Sequence, residues 1–172
     1  MTLVAFLRGV NVGGHRTFRP SLLARELERY GVVNIGAAGT FIVRKPGSAA
    51  KFRAELARRL PFEAEVILCD RDELSWIQTQ NPFKARAGAG VVRFVSVMAK
   101  AGQHPELPLS LPSKKDWLVR LVGVHDRFVF GEYRRHMKTI GYLGKLDAMF
   151  GATVTTRNWN TITTVLNALN EG

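Results

Sequence analysis

The chain has 172 residues, of which 46% are hydrophobic and 23% charged. That length and balance can bury a core without disulfides, and they exclude a disordered chain. Its 25 Lys and Arg against 14 Asp and Glu leave a net charge of +11, with +6 in residues 1–90 and +5 in 91–172. The excess is therefore no basic tail, and its long-range field favours anionic partners such as nucleic acids or nucleotides, unless it is only a solvated surface.

Leu3-Val4-Ala5-Phe6-Leu7 is an apolar run without alternation and predicts a buried central strand. It is too short for a secretory leader, no basic region precedes it, and Arg8 and Asn11 interrupt it. No stretch reaches the roughly 20 apolar residues of a membrane span. The single cysteine, Cys69, ends another apolar run, cannot form an internal disulfide and reads as a buried apolar residue. These features predict a cytoplasmic location and no membrane partner.

After the first strand comes a loop over residues 8–19 that carries Gly9, Gly13, Gly14, His15 and Arg16. A strand, a glycine-rich loop and a helix start make a common anion-binding layout. The first helix begins at Pro20, a residue suited to a first helical position, and ends at Gly31. Residues 32–35 lead into Gly36-Ala37-Ala38-Gly39, and residues 40–43 predict a strand. Ser48 caps a second helix that runs to Leu60, with Phe52 and Leu56 inward. A third strand covers 63–69. Its Glu63 and Glu65 point to one side, either as a carboxylate pair or as an exposed strand face. Asp70 and Glu73 form a capping box for a third helix, which Asn81-Pro82 stops.

Residues 84–90 make a Gly/Ala/basic joint between two halves, 1–83 and 91–172, of one compact unit. A second long apolar strand spans 91–98. Residues 102–116 hold Pro105, Pro108 and Pro112 and predict a loop. Residues 117–124 and 127–133 predict a hairpin turning at His125-Asp126. Arg134 to Lys138 is a basic stretch, followed by Gly141-Tyr142-Leu143-Gly144-Lys145. A helix follows, then a short strand over 153–156. Arg157-Asn158-Trp159-Asn160-Thr161 opens the last helix, with Asn158 or Asn160 as its cap. Ile162, Val165, Leu166 and Leu169 supply its stripe. Together these elements predict an α+β chain, an α/β sandwich with helices packed on a mixed sheet.

Familiar site motifs are absent. A P-loop around Gly144-Lys145 fails, because Thr139 and Leu146 stand where glycine and Ser/Thr are needed. Gly9, Gly13 and Gly14 lack the spacing of a dinucleotide fingerprint. His15, His104, His125 and His136 show no metal-ligand spacing, and there is no nucleophile elbow. No cofactor and no metal are implied, and whether the chain is an enzyme stays open.

Two segments carry a resemblance. The opening Ala5-Phe6-Leu7-Arg8-Gly9-Val10-Asn11-Val12-Gly13-Gly14 and the closing Thr156-Arg157-Asn158-Trp159-Asn160-Thr161-Ile162-Thr163 resemble the bacterial family known as domain of unknown function 1697. Residues 141–146 also fit that family's segment before its last αβα unit. The resemblance implies an α/β fold built from ferredoxin-like units and no established activity. This chain departs from the family at residues 36–42, where Ala37-Ala38-Gly39-Thr40 replaces a polar Gln-Ser-Gly-Asn segment.

The sequence thus points to a basic site for a phosphate or carboxylate ligand. Its candidate residues are Arg8, Asn11, Gly13, Gly14, Lys145, Arg157 and Asn160. Glycine-loop amides and the two arginines would hold the anion. The alternatives are a nucleic-acid binder acting through distributed charge, an enzyme on a small anionic metabolite, and a homodimer through a sheet edge.

Overall fold

Leu3–Leu7 form β1, and all five residues are buried. In the computed structural model, which describes residues 1–11, 14 and 16–172, β1 is an inner strand. The strands β2 (Val32–Asn34), β3 (Thr40–Val43), β1 and β4 (Val66–Asp70) lie side by side in that order. Every neighbouring pair is antiparallel. The α+β class holds, with an antiparallel sheet where a mixed one was expected. An unbroken apolar run usually marks a parallel strand covered on both faces. Here β1 is an inner strand of an antiparallel sheet with its side chains buried on both faces, so it has the same composition for a different reason.

Helix α1 (Pro20–Glu26) starts with proline at its first position. It passes into a 3-10 turn that Gly31 ends at φ 62°. Helix α2 (Ala49–Arg59) is capped by Ser48, whose Oγ accepts from the Lys51 amide at 3.2 Å. Leu23 of α1 and Phe52 and Leu56 of α2 pack with Ala5, Leu7, Phe41 and Val43 of the sheet. Each such Leu, Phe or Val side chain contributes about 2 kcal/mol of transfer energy. Helix α3 (Arg71–Gln80) opens on the expected capping box. The Glu73 amide donates to Asp70 Oδ1 at 2.9 Å, and the Asp70 amide donates to Glu73 Oε2 at 2.8 Å. Glu63 and Glu65 precede β4 instead of lying within it.

The second sheet places β6 (Leu109–Leu111), β7 (Val119–His125), β8 (Phe128–Arg134), β5 (Val91–Met98) and β9 (Val154–Asn158) in that order, again all antiparallel. The expected hairpin forms, with His125 opposite Phe128 and Asp126 in the left-handed region at φ 49°. The proline-rich stretch is not all loop, because Leu109, Ser110 and Leu111 pair with Leu121, Arg120 and Val119. Two short helices, α4 (Thr139–Leu143) and α5 (Leu146–Phe150), lie between β8 and β9. Leu146 and Phe150 join Phe94, Val119 and Leu121 in the core of this part. The last helix, α6 (Trp159–Asn170), begins one residue beyond β9.

The chain divides into two compact units. One is Met1–Gln80 with Thr163–Gly172, and the other is Asn81–Ile162. The final ten residues therefore leave the expected 91–172 half. Arg44 donates to the Ala168 carbonyl at 3.1 Å, and Asn170 Nδ2 to Gln78 Oε1 at 2.9 Å, which ties those residues to the first unit. Among the described residues, no helix is long and apolar enough to cross a membrane.

Candidate functional site

The candidate residues of the opening loop belong to the first unit, and local partners engage them. Arg8 Nη1 lies 3.1 Å from Glu65 Oε1, and its amide donates to the Glu65 carbonyl at 3.0 Å. Asn11 sits at φ 54°, a conformation that Asn tolerates better than most residues. Its Nδ2 donates to the Ala37 carbonyl at 2.9 Å, and its Oδ1 accepts from the Phe18 amide at 3.0 Å. Asn11 thus braces two loops against each other, one of them the stretch that departs from the family pattern. Gly14 is exposed at φ 77°, and Gly13 lies outside the described residues. The adjoining cleft, about 640 Å³, is lined by Arg16, Leu60, Phe62, Glu63 and Glu65 among others. Two carboxylates against one arginine make it a poor receptor for an anion.

The other candidates belong to the second unit. Lys145 precedes α5, its Nζ 5.1 Å from the centre of the Tyr142 ring. Arg157 is 6% exposed, and its Nη1 donates to Thr155 Oγ1 at 2.8 Å and to the Thr156 carbonyl at 2.9 Å. Burial pushes its pKa down to about 10, because a buried guanidinium loses hydration of its charged form. Arg157 belongs to β9, which ends two residues later than expected, and these two side-chain hydrogen bonds are to residues of the same strand. Asn158 is the helix cap, its Oδ1 accepting from the Thr161 amide at 2.8 Å.

Asn160 leads to a different constellation. It lines a cleft of about 310 Å³ with Arg93, Arg135, Asn158, Trp159 and the apolar Ala87, Val91 and Val92. Strand register explains the meeting. β5 lies between β8 and β9, with Val91 opposite Arg134 and Phe94 opposite Asn158. The start of β5, the residue after β8 and the first turn of α6 thereby share one end of the sheet. The positive end of a 12-residue helix opens there.

The two arginines differ in their surroundings. Arg93 is largely buried and held. Glu132 Oε2 is 3.6 Å from its Nε, the guanidinium lies 5.0 Å from the Phe83 ring centre, and Nη2 donates to the Ala85 carbonyl. Phe83 in turn meets Trp159 edge to face at 5.0 Å. Glu132 is buried and also binds Arg120 at 2.7 Å. Arg135 is exposed, and among the described residues it has no ion-pair partner. One arginine is thus fixed by the fold and the other can turn toward a ligand. The single charged residue of β5, Arg93 between Val92 and Phe94, was the sequence signal for this candidate site.

Glu132 offers a direct check on the network. Glu132→Gln keeps the shape and one acceptor but removes the charge shared by Arg93 and Arg120. It should destabilise the protein by about 2 kcal/mol, read as a lower urea midpoint at unchanged slope. An unchanged midpoint would mean that the arginines are held without it.

The sequence model of a family described as "Protein of unknown function (DUF1697)" matches residues 1–116. The chain belongs to this family. Among solved structures it is similar to that titled "The structure of conserved bacterial protein SP0830 from Streptococcus pneumoniae". The TM-score is 0.59 at 14% identity over 98% of each chain, a likeness of fold alone. No curated protein matches the sequence. As the DUF1697 match ends at Asp116, Arg93 lies inside it, whereas Arg135, Asn158 and Asn160 lie beyond it.

Proposed function

We propose that this DUF1697 protein binds a small anion, a phosphate or a carboxylate, in the second unit's cleft. Arg93, Arg135 and Asn160 are its principal contacts. One observation carries the reading. A held arginine, an arginine without an ion-pair partner and the first turn of α6 converge on a cleft that also has an apolar side. Charge-assisted hydrogen bonds from arginine to phosphate or carboxylate are about twice as strong as neutral ones. The apolar side, Ala87, Val91 and Val92, would face the body of an organic anion. Of the residues singled out in the sequence, Asn160 stays in this site. Arg8, Asn11 and Arg157 serve local structure in this reading.

The reading includes a cytoplasmic setting, which suits a lone buried Cys69. It also treats the first unit as a ferredoxin-like half. The strand–helix–strand–strand–helix–strand succession of that half and its spatial order β2-β3-β1-β4 support this reading, since a split β-α-β unit has that succession.

Calorimetric titration with inorganic phosphate and, separately, with acetate tests the binding. We expect saturable binding of at least one of them. Arg135→Gln, a change at an exposed residue, should weaken it about tenfold without moving Tm. No saturable binding, or wild-type affinity in both Arg135→Gln and Arg93→Gln, would sink the proposal.

A further inference from the structure

Residues 134–145 of the second unit form a surface of their own. Arg134, Arg135, His136, Lys138 and Lys145 are all exposed, and no acidic residue lies between Glu132 and Asp147. Met137 and Ile140 are 89% and 78% exposed within this cationic stretch. The stretch is nonetheless pinned. Thr139 is buried and its Oγ1 donates to the Arg134 carbonyl at 2.6 Å, while the Lys138 amide donates to His136 Nδ1 at 3.1 Å. Beyond it, Leu146 and Phe150 are buried in the core. A second cleft of about 310 Å³ opens along it, lined by Met137, Lys138, Gly141, Tyr142 and Lys145. Arg135 lines the first cleft, so cations follow one another along the chain from that cleft to this one.

We propose that this track binds the backbone of a single-stranded nucleic acid. Lys138 and Lys145 would neutralise phosphates, and a base would rest against Tyr142 and Met137. Cations that track a backbone beside an aromatic face are the recurring design of sequence-tolerant single-strand binding. A lipid surface fits less well. Helices α4 and α5 have five residues each, too short for the long apolar face of an interfacial helix, and the cations outnumber the exposed apolar side chains. The inference stands apart from the small-anion reading, because Lys138, Tyr142 and Lys145 lie outside the first cleft.

The test is fluorescence anisotropy of the full chain with a labelled oligouridylate of roughly 12 nucleotides, across a salt series. Duplex DNA and vesicles containing phosphatidylserine serve as comparisons. The wild type should bind the oligouridylate with an affinity that falls steeply with salt. Lys138→Gln and Lys145→Gln, both at exposed residues, should each reduce the log–log salt slope by about 0.7 and leave phosphate titrations of the first cleft unchanged. Tyr142→Ala should weaken binding about tenfold, with Tm measured alongside because Tyr142 touches the core. If neither lysine variant changes affinity or slope, or if the protein binds vesicles and not the oligouridylate, the proposal is overturned. A failed phosphate titration with the lysine effects intact would leave this surface standing and remove only the small-anion site.

Discussion

Replacing Gly131 with alanine is expected to cost the protein about 3 kcal/mol or more. Gly131 lies in β8 opposite Phe94 of β5, and both are buried. A Cβ placed there would run into Phe94 Cζ, with Phe94 Cε1 at 2.8 Å and the Arg120 carbonyl at 2.9 Å. The ring cannot step aside easily, since Phe94 is fully buried and packs 5.9 Å from Tyr133. The carbonyl belongs to the sheet backbone and cannot yield without parting β7 from β8. Overpacking of this kind costs about 1–3 kcal/mol and occasionally more, and here both ring and backbone resist. For a chain of this size a loss of 3 kcal/mol lowers Tm by roughly 6–12 °C. Differential scanning calorimetry checks it. A Tm within a degree of the wild type would mean that the strands part without cost.

The Gly39→Ala substitution should have the next largest effect, about 3 kcal/mol, for two separable reasons. Gly39 has φ 82°, where an L-residue pays about 1–2 kcal/mol. An added Cβ would also lie 2.8 Å from both Leu7 Cβ and Val10 Cγ2, and Leu7 and Val10 are buried. The turn cannot withdraw without breaking the bond from the Leu7 amide to the Gly39 carbonyl at 2.8 Å. Gly36→Ala separates the two causes. Gly36 also has positive φ, at 75°, but an added Cβ there meets nothing within 4 Å. It should therefore lose only the strain part, about half of the Gly39 effect. Urea unfolding of both variants reads the difference, and equal losses would remove the packing argument.

These two glycines mark a boundary between what the sequence tells and what it hides. The helix starts were legible because capping is local. Ser48, the Asp70–Glu73 box and Pro20 each act within a single turn. The hairpin was legible for the same reason, its turn residues lying between two apolar runs. Sheet direction was not legible. Apolar content reports burial of both faces, and covered antiparallel strands give the same run as parallel ones. The proposed site was legible only where chemistry and position coincide. Asn160 lines the cleft, but Arg93 and Arg135 reach it through pairing between strands far apart in sequence, which composition does not encode. Arg8 and Asn11 looked functional because polar groups stood beside glycines. Their partners, Glu65 and Ala37, are 57 and 26 residues away, and tertiary contact makes them braces. Arg157 looked like a cation at a helix start, yet strand β9 ends two residues later than expected and carries it inside.

The central claim is that an anion is held by the second unit's cleft and not by the opening glycine loop. Amide chemical shifts in a ¹H–¹⁵N spectrum, followed through a titration with inorganic phosphate, test it most directly. The account predicts saturable shifts at Val92, Arg93, Trp159 and Asn160, all with one dissociation constant, and none at Arg8, Gly9 or Gly14. Saturable shifts confined to the residue 8–14 loop, with the residues of the cleft unmoved, would contradict it.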